Sequence, residues 1–178
     1  MISTVDELRA RLAEVRSAAP EARVALISTI GSLHDGHIDL VHRAREVADI
    51  VVVSVFVNPL RFASPAEFAA YPRTPDEDER LLESLGVEVV FAPDASELLP
   101  DGSNTTKVTA GDLGLRYEGR ARPFYFDGLL TVEAKLFHLV RPDVALYGER
   151  DRQRVFLVRR MIRDLFFDVE VATVPACG

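Results

Sequence analysis

Residues 50–57, Ile-Val-Val-Val-Ser-Val-Phe-Val, restrict the fold of this chain more than any other segment. The run is almost wholly β-branched and apolar, with no alternation that would leave one side for water. A strand apolar on both sides belongs in a parallel sheet covered by helices on both faces. Arg23 to Ile27 reads as a second buried strand, bounded by Pro20 and a turn at Gly31. Val87 to Phe91, Asp143 to Tyr147 and Val169 to Val174 read as three more, and the Gly-, Pro- and polar-rich stretch 93–123 holds a short strand near Thr106 to Thr109.

Helical patterns fill the gaps between strands. Ile38 to Ala48 carries Leu40, Val41, Ala44, Val47 and Ala48 at helical spacing. Thr74-Pro75-Asp76-Glu77 opens a helix that Gly86 stops, and Ser64-Pro65-Ala66-Glu67 is a similar capped start. Phe126 to Val140 is helical, as is Asp151 to Leu165, where Val158, Met161, Ile162 and Leu165 share a face. Met1 to Ala19 reads as an amphipathic helix, with Thr4 and Glu7 spaced for a capping box. Repeated β-α alternation predicts an α/β fold, a doubly wound parallel sheet, over a single domain spanning 1–178. Ligands of such sheets bind beyond the carboxyl ends of the strands. The turns at 28–37, 58–62 and 148–154 all follow strands and are expected to face one cleft.

Composition excludes several function classes. No run approaches membrane-span length, and no basic region followed by an apolar stretch opens the chain, so neither a membrane partner nor a secretion signal is expected. Cys177 is the only cysteine, which rules out an internal disulfide and suits a cytoplasmic protein. The net charge of −7 argues against a nucleic-acid partner. Any phosphate ligand must therefore be held by a local cluster of donors.

His34-Asp35-Gly36-His37 is the candidate cluster. An apolar strand runs into a turn, and two histidines flank a glycine just before a helix. The helix N-terminus offers free N–H donors and partial positive charge. Gly36 lets backbone approach a ligand. Two imidazoles can donate hydrogen bonds to charge that grows on phosphates during nucleotidyl transfer. The plain alternative is a polar helix start without chemistry. A zinc site is a weaker one, since no further Cys or His lies at ligand spacing. No metal ligand is assigned. His42 and His138 fall inside helices and read as surface or packing residues.

The chain resembles the pantothenate synthetase (pantoate–β-alanine ligase) family, in its N-terminal domain, within the HxGH nucleotidyltransferase superfamily of Rossmann-like (HUP) domains. The resemblance runs from about Val24 to Pro175. It rests on Gly31-Ser32-Leu33-His34-Asp35-Gly36-His37, Val55-Phe56-Val57-Asn58-Pro59-Leu60-Arg61-Phe62, Tyr71-Pro72-Arg73-Thr74, Glu118-Gly119-Arg120-Ala121-Arg122-Pro123, Lys135-Leu136-Phe137 and Arg141-Pro142-Asp143 through Gly148-Glu149-Arg150-Asp151. It implies a ligase that uses ATP and Mg²⁺ to adenylate a small carboxylic acid, which an amine then attacks to form an amide. It implies a homodimer. By resemblance His34, His37 and Arg150 are catalytic. Ile30, Gly31, His34, Gly36, His37, Gly148, Arg150 and Asp151 bind ATP, and Thr29, Asn58, Arg61, Arg122 and Arg154 bind substrate, with Arg122 at the rim.

The departures are informative. The family's Pro-Thr-Met-Gly turn is Ser28-Thr29-Ile30-Gly31, its Lys-Asp-x-Gln-Gln is Arg150-Asp151-Arg152-Gln153-Arg154, and a Gly-His pair after Arg-Pro is Phe124-Tyr125. Arg150 keeps a cation where lysine would meet phosphates, with different geometry. The two glutamines that grip pantoate are Arg61 and Arg154 here. Two unpaired guanidiniums would favour a second anionic group on the acid. The family continues into a second domain that closes over ATP, and none of it lies in these 178 residues. With the two arginines, this favours a diverged single-domain homologue. Three function classes follow: a ligase with an acid altered from pantoate, a single-domain nucleotidyltransferase acting on a phosphorylated substrate, and a non-catalytic ligand-binding homologue.

Overall fold

In the computed structural model, described for residues 1–175, five strands form one parallel sheet; Cys177 lies outside the described residues. The strands are β1 (Val24–Thr29), β2 (Ile50–Val55), β3 (Val89–Phe91), β4 (Val144–Gly148) and β5 (Glu170–Val174), in the order β3-β2-β1-β4-β5. The helices are α1 (Val5–Ala18), α2 (Asp35–Val47), α3 (Pro65–Ala70), α4 (Pro75–Ser84), α5 (Ala95–Leu98), α6 (Glu118–Ala121), α7 (Tyr125–Val140) and α8 (Arg152–Asp164). No helix among the described residues is long and apolar enough to cross a membrane.

The unbroken apolar strands are covered on both sides, as their composition requires. Val24, Leu26, Val52 and Ala145 point to one face, where Leu8 and Leu12 of α1, Leu130 and Phe137 of α7, and Leu157 and Val158 of α8 close over them. Ala25, Ile27, Val51, Val53 and Leu146 point to the other, against Val41 and Ala44 of α2 and Leu82 of α4.

Several boundaries differ from expectation, each for a local reason. The segment near Thr106 to Thr109 is not a strand: it has no neighbour in the sheet, and α7 side chains take its backbone groups instead. Val108 N–H donates to Thr131 Oγ1 at 3.0 Å and Ala110 N–H to Asp127 Oδ1 at 2.7 Å. The first helix begins at Val5, capped by Thr4 Oγ1, while Ile2 pairs with Phe91 at the sheet edge. The second helix begins at Asp35, three residues before the apolar pattern that signals it.

The strand order places a change of direction between β1 and β4. The chain winds outward from β1 through β2 to β3, and then crosses to β4 on the opposite side. β1 pairs with β2 along its whole length, to Thr29↔Val55, but with β4 only at Ala25↔Val144 and Leu26↔Ala145. Beyond those pairs the carboxyl ends of β1 and β4 part. Ligand crevices of open α/β sheets form at such a switch point.

Candidate active site

The turn after β1 is held from α4. Gly31 (φ +82°) and Ser32 (φ +51°) are both left-handed, and such a bend leaves backbone N–H groups pointing into the protein. Asp78, only 2% exposed, accepts Ser32 N–H at 3.0 Å and Leu33 N–H at 2.9 Å, and Thr74 Oγ1 donates to it at 3.1 Å. A carboxylate taking two half-buried amides forms stronger hydrogen bonds than a neutral acceptor would. Asp78 therefore shapes the loop from which α2 starts.

His34 and His37 form a reciprocal cap on α2. His34 is the N-cap, its Nδ1 accepting Gly36 N–H at 3.1 Å, and His37 Nδ1 accepts His34 N–H at 3.1 Å. Ser or Thr with Glu fills these roles in the usual capping box. Because each Nδ1 is an acceptor, the proton of each neutral ring resides on Nε2. Burial, with the neighbouring His34 ring next in importance, lowers the His37 pKa to about 4, so that ring is neutral at pH 7. The ring centroids lie 4.2 Å apart. Two Nε2–H donors and the amino end of α2 thus stand together. Gly36 acts differently from expectation: its amide is spent on His34, and a Cβ there would lie 2.9 Å from His34 Cε1, so this glycine makes room for the ring.

A cavity of about 300 Å³ opens beside this cap. Thr29, Ile30, Gly31, His34, His37, Asn58, Arg61, Asp151 and Arg154 all line it, so the turns after β1, β2 and β4 do meet. Arg122 borders an adjoining cavity with Arg61 and Tyr125, and pairs with Glu67 at 2.8 Å. Gly36, Gly148 and Arg150 do not line the main cavity; Arg150 is exposed at the β4–α8 turn.

Two of the lining polar groups are engaged by the fold. Asn58 donates from Nδ2 to Gly128 O at 3.0 Å and accepts Leu60 N–H at 2.9 Å, which anchors the turn carrying Arg61. Thr29 Oγ1 donates to Ser54 O at 2.9 Å.

Only one of the two arginines lacks a charged partner, contrary to expectation: Arg154 is paired with acids, whereas Arg61 meets only Tyr125 among the described residues. Arg154 Nη2 lies 3.6 Å from Glu133 Oε2, its Nη1 lies 4.0 Å from Asp151 Oδ2, and its guanidinium sits over the Tyr147 ring at 4.9 Å. Burial alone would lower its pKa, but Glu133, Tyr147 and Asp151 outweigh this and raise it. Glu133 also accepts Ser28 Oγ at 3.1 Å and the Tyr147 hydroxyl. That hydroxyl is held well above its ordinary pKa by burial and by Glu133. Arg61 donates to the Tyr125 hydroxyl and stacks on its ring at 4.8 Å.

Glu133, Asp78 and Tyr147 were not singled out from sequence, and Tyr125 stood out only as a departure from the family's pattern. A signal existed for the two acids. Glu133 lies on the α7 stripe with Leu129, Leu130, Leu136 and Phe137, and Asp78 on the α4 stripe with Leu82. A carboxylate on an apolar stripe needs a buried partner.

Residues 1–177 match the family described as Pantoate-beta-alanine ligase. A pantothenate synthetase of Leifsonia xyli is 51% identical over 166 residues, covering 93% of this chain and 58% of that protein. A pantothenate synthetase crystal structure from Thermus thermophilus superposes with a TM-score of 0.88 at 45% identity, over 99% of this chain and 61% of that one. A Francisella tularensis pantoate-beta-alanine ligase, complexed with beta-gamma ATP and beta-alanine, superposes with a TM-score of 0.90 at 31% identity, over 100% of this chain and 68% of that one. The chain spans about half the length of the curated relatives it matches.

Proposed function

The chain belongs to the pantoate–β-alanine ligase family, a family of ATP-dependent ligases, and we propose that it binds ATP at the His34–His37 cap and activates a small carboxylic acid for attack by an amine. The acid's carboxylate oxygen attacks the α-phosphorus, the bond to the bridging oxygen breaks, and pyrophosphate leaves. The amine nitrogen then attacks the acyl carbon of the adenylate, AMP leaves, and the nitrogen gives up its proton.

The observation that carries this reading is the reciprocal histidine cap: two imidazoles whose Nδ1 atoms face the backbone and whose Nε2–H groups are left to donate, at the amino end of a 13-residue helix, beside a cavity at the sheet's switch point. Donors fixed before the reaction stabilise charge developing on the phosphates without reorganising. His34 and His37 are assigned to the phosphates, with Arg150 as a further cation that can swing in from the exposed β4–α8 turn. Ile30, Gly31 and Asp151, which line the cavity, are assigned to the nucleotide side, with Gly148 at the end of β4 and with Gly36 acting through the room it leaves for the His34 ring. Thr29, Asn58, Arg61, Arg122 and Arg154 are assigned to the acid side, Asn58 and Thr29 by shaping the wall.

Mg²⁺ fits as an ion carried by the triphosphate. No group of three or more His, Cys, Asp or Glu among the described residues could hold a metal by itself, and Mg²⁺ is commonly held by one or two carboxylates plus substrate phosphates. Asp151, which lines the cavity, is the carboxylate placed for that role. The ion would neutralise phosphate charge.

The acid is small, and its carboxylate is the group that is activated. Arg61 and Arg154 stand where the family has glutamines, so the reading includes an acid altered from pantoate in the groups beyond that carboxylate. A homodimer is part of the same reading. ATP–pyrophosphate exchange over a panel of small carboxylic acids tests it: exchange that depends on an acid supports the ligase, and exchange that needs a phosphorylated acceptor favours nucleotidyl transfer instead.

A further inference from the structure

The sheet face that carries α7 and α8 is apolar along most of its length and turns polar at its carboxyl end. Leu26 of β1 gives way to Ser28, Val52 of β2 to Ser54, and Ala145 of β4 to Tyr147. Into this row of hydroxyls α7 projects Glu133, 3% exposed, and α8 projects Arg154. Each would be costly there alone, because removing either partner of a buried pair strands the other's charge. Together they form a charge-compensated wall of the cavity, tied by the Ser28 and Tyr147 hydroxyls to Glu133 Oε1.

Arg61 lines the same cavity in a different state. It contacts the hydroxyl and ring of Tyr125, and no carboxylate among the described residues lies within ion-pair distance of it. Two further buried polar atoms belong to residues lining the cavity and lack a hydrogen-bond partner: Ser54 Oγ and Arg154 Nε. One is a donor and the other can donate or accept. An unpaired buried polar atom costs stability until something bonds to it.

We propose that Glu133 determines the charge of the acid this site accepts. By neutralising Arg154 it leaves Arg61 to meet the acid's carboxylate, and it leaves Ser54 Oγ and Arg154 Nε to bond an uncharged oxygen elsewhere on the acid. Glu133 thereby keeps the acid within the hydroxy-monocarboxylic class to which pantoate belongs, despite the arginine at position 154; a dicarboxylic acid of the same size would place a second anion against a wall that has no charge left to offer it. The inference rests on the acid-activating reading above and adds to it the residue that selects the acid.

The test compares γ-hydroxybutyrate with succinate, which match in length and differ in charge. Both are titrated into the unmodified protein, Arg154→Gln, Glu133→Gln and the double variant. The unmodified protein is expected to prefer γ-hydroxybutyrate by about 10-fold or more. Arg154→Gln strands the Glu133 carboxylate against an anionic ligand, so γ-hydroxybutyrate affinity falls by about 10-fold or more, and the double variant restores it to within about 3-fold. Glu133→Gln frees Arg154 and moves the preference toward succinate by about 10-fold. Where a single variant does not fold, the double variant decides, since its wall is again neutral and must keep the preference for the monocarboxylate. A double variant that binds no better than Arg154→Gln, or that loses the preference, overturns the proposal, because Arg154 then holds the acid through its charge rather than having that charge neutralised by Glu133. Equal binding of both acids by the unmodified protein also overturns it. So does binding of neither, in which case an ATP titration of the same sample judges the nucleotide reading separately.

Discussion

Gly36→Ala separates the histidine cap from the stability of the fold. An alanine Cβ at this position would lie 2.9 Å from His34 Cε1 and 3.1 Å from Nδ1. The helix backbone is fixed by its own hydrogen bonds, so the imidazole moves, and the Gly36 N–H···Nδ1 bond at 3.1 Å is lost. Losing an N-cap interaction costs about 0.5–2 kcal/mol. Alanine in place of glycine in a helix returns about 1 kcal/mol, so the net loss of stability is at most about 1 kcal/mol. The consequence for ligand is larger. A displaced His34 no longer aims Nε2–H at the phosphates, and a hydrogen bond to a charged group contributes about 1.5–3 kcal/mol, which is roughly a 10- to 100-fold loss in ATP affinity. Calorimetric titration with ATP, paired with a thermal melt, reads both. Undiminished ATP affinity in a folded Gly36→Ala protein refutes the reasoning, and so does a melting temperature that collapses, since the ring would then be a structural element first.

Three further outcomes follow from the same geometry. Asp78→Asn replaces a buried carboxylate that takes two amides and one hydroxyl; denaturant unfolding is expected to show a loss of about 1–3 kcal/mol, and a loss below about 0.5 kcal/mol, on the order of a surface change, argues that the turn holds itself. The His37 pKa of about 4 lies below the ordinary 6.5, so between these values the unfolded chain binds more protons than the native one and stability falls as pH drops from 6.5 toward 4; His37→Gln is expected to flatten that slope, and an identical slope in both proteins would remove His37 as its source. Sedimentation at micromolar concentration is expected to give the mass of a dimer, and a monomer alone counts against the proposed pairing.

The layers of this fold were legible because its strands are composed so plainly. Ile50 to Val55 permits no exposed face, and Leu40, Val41 and Ala44 mark the inner side of a helix. The positions of the site turns followed from the strand ends. The helix start at Asp35 was harder to place because histidines replace the usual capping residues, and imidazole Nδ1 acceptors carry no strong signal in a sequence. The segment near Thr106 has strand-like composition, but its backbone partners are side chains of α7, 17 to 23 residues away. The pairing of Arg154 with Glu133 was illegible from α8 alone, for its partner lies on another helix and is met only where β1 and β4 part. The acid nearest in sequence, Asp151, proved the more distant contact at 4.0 Å.

The claim that the His34–His37 cap holds the phosphates of ATP is tested most directly by calorimetry on the protein with both histidines replaced by alanine. The fold is expected to survive, since α2 keeps Val41 and Ala44 in the core. Loss of two donors to charged oxygens predicts an ATP affinity lower by about 100-fold or more. An affinity equal to that of the unmodified protein contradicts the assignment of the site.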